Sequence, residues 1–247
     1  MPINVSFLPP RRILPIIFVI DSSDSMRHDG CIETVNQAMR QTVANLNRVA
    51  RNSPDVDIRV AVLTFGHEAL WMTRNLSDNP ALVGIEELIW EDLECRGPSH
   101  FARALQELNE NMTRRSLFSE EVGYKTPVII FVMSGNGYCD EWKAVLGEVT
   151  ARNKWLLHSR KVGIGVGELF NERTLARIIM SMDEAYEVSD VPIYPINVLS
   201  NLILHIMNLC RWPPVNLPPL DELVDFEVAD EFDADSDSLW DADEWES

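Results

Sequence analysis

Ile13-Leu14-Pro15-Ile16-Ile17-Phe18-Val19-Ile20-Asp21-Ser22-Ser23-Asp24-Ser25-Met26 is the stretch on which the fold turns. The run from Ile13 to Ile20 is almost wholly apolar and lacks the polar alternation of a strand with one wet face. It suits a central strand covered on both sides. Working outward, the same character returns at Ile58–Phe65, Val128–Met133 and Val162–Val166. Helical patterns fall between and after these strands, at about Ile32–Val49, Phe101–Met112, Glu141–Arg152, Glu172–Met182 and Ile196–Leu209. Strands alternating with helices of this length predict a three-layer, doubly wound, mainly parallel α/β sheet. Ala69–Met72 can return along Ile58–Phe65 through a turn at Gly66, which predicts one antiparallel edge strand.

With 247 residues, 46% of them hydrophobic, the chain can fill a large core. Its formal charge of -18 is uneven. Residues 221–247 carry 13 acidic and no basic side chains, against 26 acidic and 21 basic in residues 1–220. Such a balance repels phosphate backbones, and no Lys/Arg run with interleaved aromatics offsets it, so nucleic acid is not an expected partner. Cys31, Cys95, Cys139 and Cys210 are scattered without zinc spacing and read as thiols in a reducing compartment. Met1–Arg12 has its basic pair after its apolar residues, the wrong order for a secretory signal, and no apolar run approaches the roughly 18 residues that span a bilayer. The expectation is a cytoplasmic protein with no membrane contact.

The organisation expected is a short N-terminal segment over 1–12, a domain over 13–212, and a Pro-rich linker with an acidic tail over 213–247. High charge with little branched apolar content predicts disorder for that tail. Phe226, Phe232, Trp240 and Trp245 recur through it, a pattern suited to docking aromatic anchors on a basic surface.

In an open parallel sheet, ligands bind at the carboxyl ends of the strands. Three polar clusters fall there: Asp21-x-Ser23-x-Ser25, Gly97-Pro98-Ser99 and Ser134-Gly135-Asn136-Gly137. One carboxylate with several hydroxyls is a donor set for a hard cation such as magnesium. The sequence Ile17-Phe18-Val19-Ile20-Asp21-Ser22-Ser23-Asp24-Ser25-Met26 resembles the Asp-x-Ser-Gly-Ser-Met signature of the von Willebrand factor A domain's metal-ion-dependent adhesion site. The likeness in element order covers about residues 13–210. More narrowly, Arg12–Met26, Glu33-Thr34-Val35-Asn36 and Pro127–Trp142 resemble the bacterial TerY type, which is associated with tellurite resistance.

That resemblance implies metal ligands at Asp21, Ser23, Ser25, Ser99 and Ser134. It also implies a degenerate site. Ser99 stands where the family usually has Thr, Ser134 where it usually has Asp, and Asp24 where it has Gly. Two outcomes stay open: a weak magnesium site, with Asp24 compensating or facing solvent, or a hydrogen-bonding surface for a partner. By the same resemblance the partners are proteins, a kinase and a phosphatase of a stress-related signalling set.

Other motifs read more plainly. Gly163-x-Gly165-x-Gly167 lacks the Lys-Ser/Thr of a phosphate cradle and suggests close packing at a strand end. His28, His67 and His100 lie near the strand ends by element order, but no third residue orients a Ser25/His28 pair and no nucleophile elbow exists. Cys139 has no cationic neighbour in sequence and reads as inert. The function expected is a non-catalytic protein-interaction module. The alternatives are a magnesium-dependent ligand binder with an intact adhesion site, and a metal-dependent phosphohydrolase, which would need an Asp at position 23, where the chain has Ser.

Overall fold

The computed structural model describes residues 11–203 apart from 54–55, 120–122, 137, 139–140, 169 and 183–190. In chain order the elements are β1 (Arg12–Asp21), a 3₁₀ turn (Asp24–Gly30), α1 (Cys31–Asn52), β2 (Val56–Phe65), β3 (Ala69–Trp71), β4 (Val83–Gly84) and α2 (Phe101–Asn111). They continue with β5 (Val128–Met133), α3 (Trp142–Arg152), α4 (Lys154–His158), β6 (Arg160–Gly165), α5 (Glu172–Met182), β7 (Ile193–Pro195) and a helical stretch that starts at Ile196.

The sheet runs in the order β3-β2-β1-β5-β6-β7. β1 lies in its middle, paired in parallel with β2 over its full length, Arg12 facing Val56 and Asp21 facing Phe65, and with β5 on the other side. β5, β6 and β7 are parallel, while β3 returns antiparallel along Leu63–Phe65. The sheet is therefore mixed but mostly parallel, as its apolar strands and their intervening helices predict.

Side chains alternate across the sheet, and both faces are dry. Leu14, Ile16, Phe18 and Ile20 of β1 pack with α1 and the final helical stretch, whereas Ile17 and Val19 pack with α2, α3, α4 and α5. A strand buried on both faces has no use for polar residues, which is why β1 reads as a continuous apolar run. The α1 stripe Ile32, Val35, Met39, Val43 and Leu46 follows helical spacing and faces β1.

Short elements fell outside the sequence pattern. β4 adds two residues to the edge of β2, pairing antiparallel at Arg59 and Val60. α4 and β7 span five and three residues, too few to establish a period. The final helix opens as a 3₁₀ turn at Ile196–Val198 and is described as far as Ile203, so its expected end at Leu209 lies outside the described residues, as does the tail. The glycines of β6 serve packing. A Cβ on Gly165 would lie 2.3 Å from the Phe170 ring, and one on Gly163 would lie 3.0 Å from Ile179. No helix among the described residues is long and apolar enough to cross a membrane.

The ring of Phe18 is fully buried in the central strand. Phe18→Ala is expected to lower the unfolding free energy by about 3–5 kcal/mol, read from urea melts.

Candidate functional site

Parallel pairing sets the carboxyl ends of β1, β2 and β5 side by side, with Ile20 opposite Val132 and Asp21 opposite Phe65. The polar residues that follow each strand therefore emerge at one rim. Three loops are stitched together there by backbone bonds. Ser22 N–H donates to Phe65 O at 2.7 Å, Arg96 N–H to Ser22 O at 2.7 Å, Asp24 N–H to Gly97 O at 2.7 Å, and His67 N–H to Arg96 O at 2.7 Å. Ser99 forms a parallel bridge with Tyr138, whose ring stacks on Phe101 at 5.4 Å, so the loop after β5 folds over the same place.

This stitching needs a residue without a side chain at position 66. A Cβ on Gly66 would sit 2.3 Å from the Arg96 carbonyl oxygen and 3.2 Å from that of Ser22. Gly97 has φ +67, and a Cβ there would meet His67 at 2.9 Å. Both glycines are required by close approach, and Gly97 also by its left-handed backbone.

Asp21 is wholly buried at the centre of this rim. Its Oδ1 accepts the Ser23 amide at 2.9 Å, making a tight turn, and the Ser23 and Ser25 hydroxyls lie 2.8 Å apart. The Ser99 hydroxyl faces the carboxylate from the adjoining loop and, with the hydroxyl and amide of Ser23, pulls its pKa down. Burial is the larger effect and pushes the Asp21 carboxyl up to about 6. Yet Asp21 Oδ2 and Ser99 Oγ are both buried without a hydrogen-bond partner among the described residues. Buried polar atoms are normally satisfied, and a native exception marks a place that a bound water or an ion can complete.

Ser134 reaches the rim by position but not by contact. It directly follows Met133, its hydroxyl accepts the Asn136 amide at 3.3 Å, and its carbonyl accepts that of Asn171 at 2.7 Å. Its side chain holds its own turn, and among the described residues no hydrogen bond joins it to Asp21. Asp24 settles the question raised by its replacing Gly. Its side chain is 53% exposed and pairs with Arg27 at 3.0 Å, so it faces solvent and supplies no second carboxylate to the site. The left-handed residues of the first loop are Asp29 and Gly30, not Asp24.

The donors that fit a hard cation are thus Asp21, Ser23, Ser25 and Ser99, all oxygen, with one charge. No group of three or more His, Cys, Asp and Glu capable of holding a metal occurs among the described residues. His28 is exposed, and the Ser25 hydroxyl bonds Ser23. His67 and His100 pack edge to face at 5.7 Å beside the loops. Cys139 lies outside the described residues. Gly66, Arg96 and Tyr138 assemble the rim and carry no motif in the sequence. Only the Gly66 turn gave a local signal.

Residues 16–137 match the von Willebrand factor type A domain family. The chain carries a von Willebrand factor type A domain. Among solved structures, a von Willebrand factor type A protein from Catenulispora acidiphila superposes with a TM-score of 0.52 at 11% identity, covering 78% of this chain and 41% of that one. Proximal thread matrix protein 1 from the mussel byssus gives 0.50 at 19% identity, covering 81% and 46%. A further structure of that mussel protein, with a TM-score of 0.49, 15% identity and coverage of 78% and 46%, is described with a zinc-occupied adhesion-site motif. This chain spans less than half the length of these structures. No curated protein matches it in sequence.

The burial of Asp21 makes the A domain's stability pH-dependent. The folded protein keeps a proton that the unfolded chain releases between the usual carboxylate range and about 6. Without a cation, stability should therefore fall as pH rises through that window, by about 3 kcal/mol at full ionisation. Asp21→Asn removes the charge and keeps the shape. Urea melts in chelator should show the variant gaining on the wild type by that amount between pH 4 and pH 7; parallel curves would contradict it. Gly66→Ala should cost at least about 2 kcal/mol, because the obstructing atoms are backbone.

Proposed function

We propose that this domain is a non-catalytic protein-interaction module whose partner docks on the Asp21 rim through a divalent cation. The observation that supports it is the pair of buried, unpartnered oxygens, Asp21 Oδ2 and Ser99 Oγ, facing each other from two loops. Asp21, Ser23, Ser25 and Ser99 would hold the ion, with Ser134 at the edge of the same rim. Magnesium fits all-oxygen donors and supplies open coordination positions that accept a partner carboxylate.

What the chain's own residues do is hold and orient. The Ser23 amide fixes the Asp21 carboxylate, and the Ser23–Ser25 hydroxyl pair is preset for oxygen ligation. With one carboxylate, the site binds weakly and depends on the partner to complete it. Hydrolysis has no support in these residues. A phosphohydrolase of the haloacid-dehalogenase kind would need an acid or base at position 23, and Ser23 cannot fill that role.

We assign the partner from the TerY-like segments Arg12–Met26, Glu33–Asn36 and Pro127–Trp142. On that footing the module is a bacterial, cytoplasmic adaptor for a kinase and a phosphatase of a stress-response or tellurite-resistance set. Fold alone does not fix this assignment.

Affinity capture with the full chain tests the proposal. A partner retained in magnesium should be lost in chelator, and Asp21→Asn should lower its retention about tenfold or more, the scale on which losing a metal-site residue acts. Capture indifferent to both changes would remove the cation from the account. Magnesium-dependent cleavage of generic phosphate esters, abolished by Asp21→Asn, would overturn the non-catalytic assignment.

A further inference from the structure

The opposite end of the domain, at the amino edges of the parallel strands, carries a second surface that the Asp21 rim does not use. There the end of α2, the loop after it and the Asn75–Pro80 turn border a cavity of about 810 Å³, with Asn75, Asn79, Glu110, Arg114, Arg115 and Ser119 in its lining. The Arg114 guanidinium lies 5.6 Å from the ring centroids of both Tyr124 and Trp155, and Trp155 stacks on Phe118 at 4.1 Å. The Asn153 side-chain amide donates to the Asn109 carbonyl at 3.1 Å and to the Met112 carbonyl at 3.4 Å, fastening the α3–α4 junction beside that loop.

These contacts bring together three segments that carry five cationic residues, Arg114 and Arg115, Lys125, and Arg152 and Lys154, with Arg114 lying over the two half-buried rings of Tyr124 and Trp155. Arg115 and Arg152 are exposed and make no hydrogen bond or ion pair among the described residues. Glu110 is the carboxylate in the cavity lining. Glu120 and Glu121 are near in chain order but lie outside the described residues. A basic, aromatic surface on a chain of net charge -18 is a concentration of the less abundant sign.

Its chemical complement is in the same chain. Residues 221–247 hold 13 carboxylates, no Lys or Arg, and the aromatics Phe226, Phe232, Trp240 and Trp245. We propose that residues 221–247 dock in cis on this surface, carboxylates against the Arg114–Arg115 and Arg152–Lys154 pairs and aromatic rings against Tyr124 and Trp155. Each exposed ion pair contributes only about 0.2–1 kcal/mol. Many of them act together, however, and the tether raises the local concentration of the segment to the millimolar range. Reach is sufficient. Residues 204–220 span up to about 56 Å when extended, against a radius of gyration of about 17 Å for a domain of this size. The segment leaves from the α1 layer, where Leu199, Leu202 and Ile203 are buried, and must cross to the α2 layer. Docking there leaves the Asp21 rim open, so the two sites stand or fall separately.

Zero-length carbodiimide cross-linking of the full chain tests this, since it joins a carboxylate to a lysine amine with loss of water. Lys125 and Lys154 should form bonds to residues 221–247 within the monomer, and Lys143, on the first turn of α3, should not. The double reversal Arg115→Glu with Arg152→Glu should lower those products about tenfold, the effect of reversing two surface charges that act together. Circular dichroism should report an unchanged fold, because both side chains are exposed and make no ion pair among the described residues. Cross-links spread equally over the three lysines, products confined to dimers, or yields untouched by the reversal would each overturn the proposal.

Discussion

A carboxylate removed from water must be neutralised or given partners, and Asp21 meets that requirement only halfway. It sits at the end of the buried central strand, one oxygen held by the Ser23 amide and the other bare. Burial raises its pKa, so the site is under tension whenever the carboxylate is ionised and nothing else is bound. The arrangement around it can be understood as the scaffold that keeps this carboxylate buried and correctly aimed. β1 lies between β2 and β5, helices cover both faces, and the loops close over the strand ends.

The closing of those loops rests first on backbone bonds, to which the Ser22 hydroxyl adds a bond to the Phe65 carbonyl and Arg27 one to the Cys95 carbonyl. Ser22, Arg96, His67 and Gly97 exchange main-chain hydrogen bonds, and the approach is possible because Gly66 has no Cβ. Asp24 has no left-handed backbone, and its carboxylate turns outward to Arg27. Ser134 is used locally, its hydroxyl accepting the Asn136 amide within the turn. Among the described residues, the rim that results holds a single buried carboxylate, Asp21.

The long elements were legible in the sequence for a physical reason. A strand buried on both faces shows as an unbroken apolar run, and α1 and α5 carry a helical stripe, so β1, β5 and α5 could be bounded to within a residue or two. α4, β4 and β7 could not, since two to five residues carry no period. At the site, Asp21, Ser23, Ser25 and Ser99 were legible because polar residues directly after buried strands or before a helix have few other reasons to be there. The contribution of Arg96 and Tyr138 was invisible. It depends on a carbonyl and on a bridge between loops far apart in the chain, and neither leaves a residue-type signature.

The central claim is that three loops converge on one oxygen-lined cation site. Titrating the isotope-labelled chain with manganese, a paramagnetic ion that takes oxygen donors as magnesium does, tests it most directly, because line broadening maps the ion residue by residue. The account predicts that the amides of Ser23, Ser25 and Ser99 broaden together at the lowest manganese concentrations, and that excess magnesium reverses the effect. Broadening confined to the acidic residues 221–247, with those three amides unchanged, would contradict it.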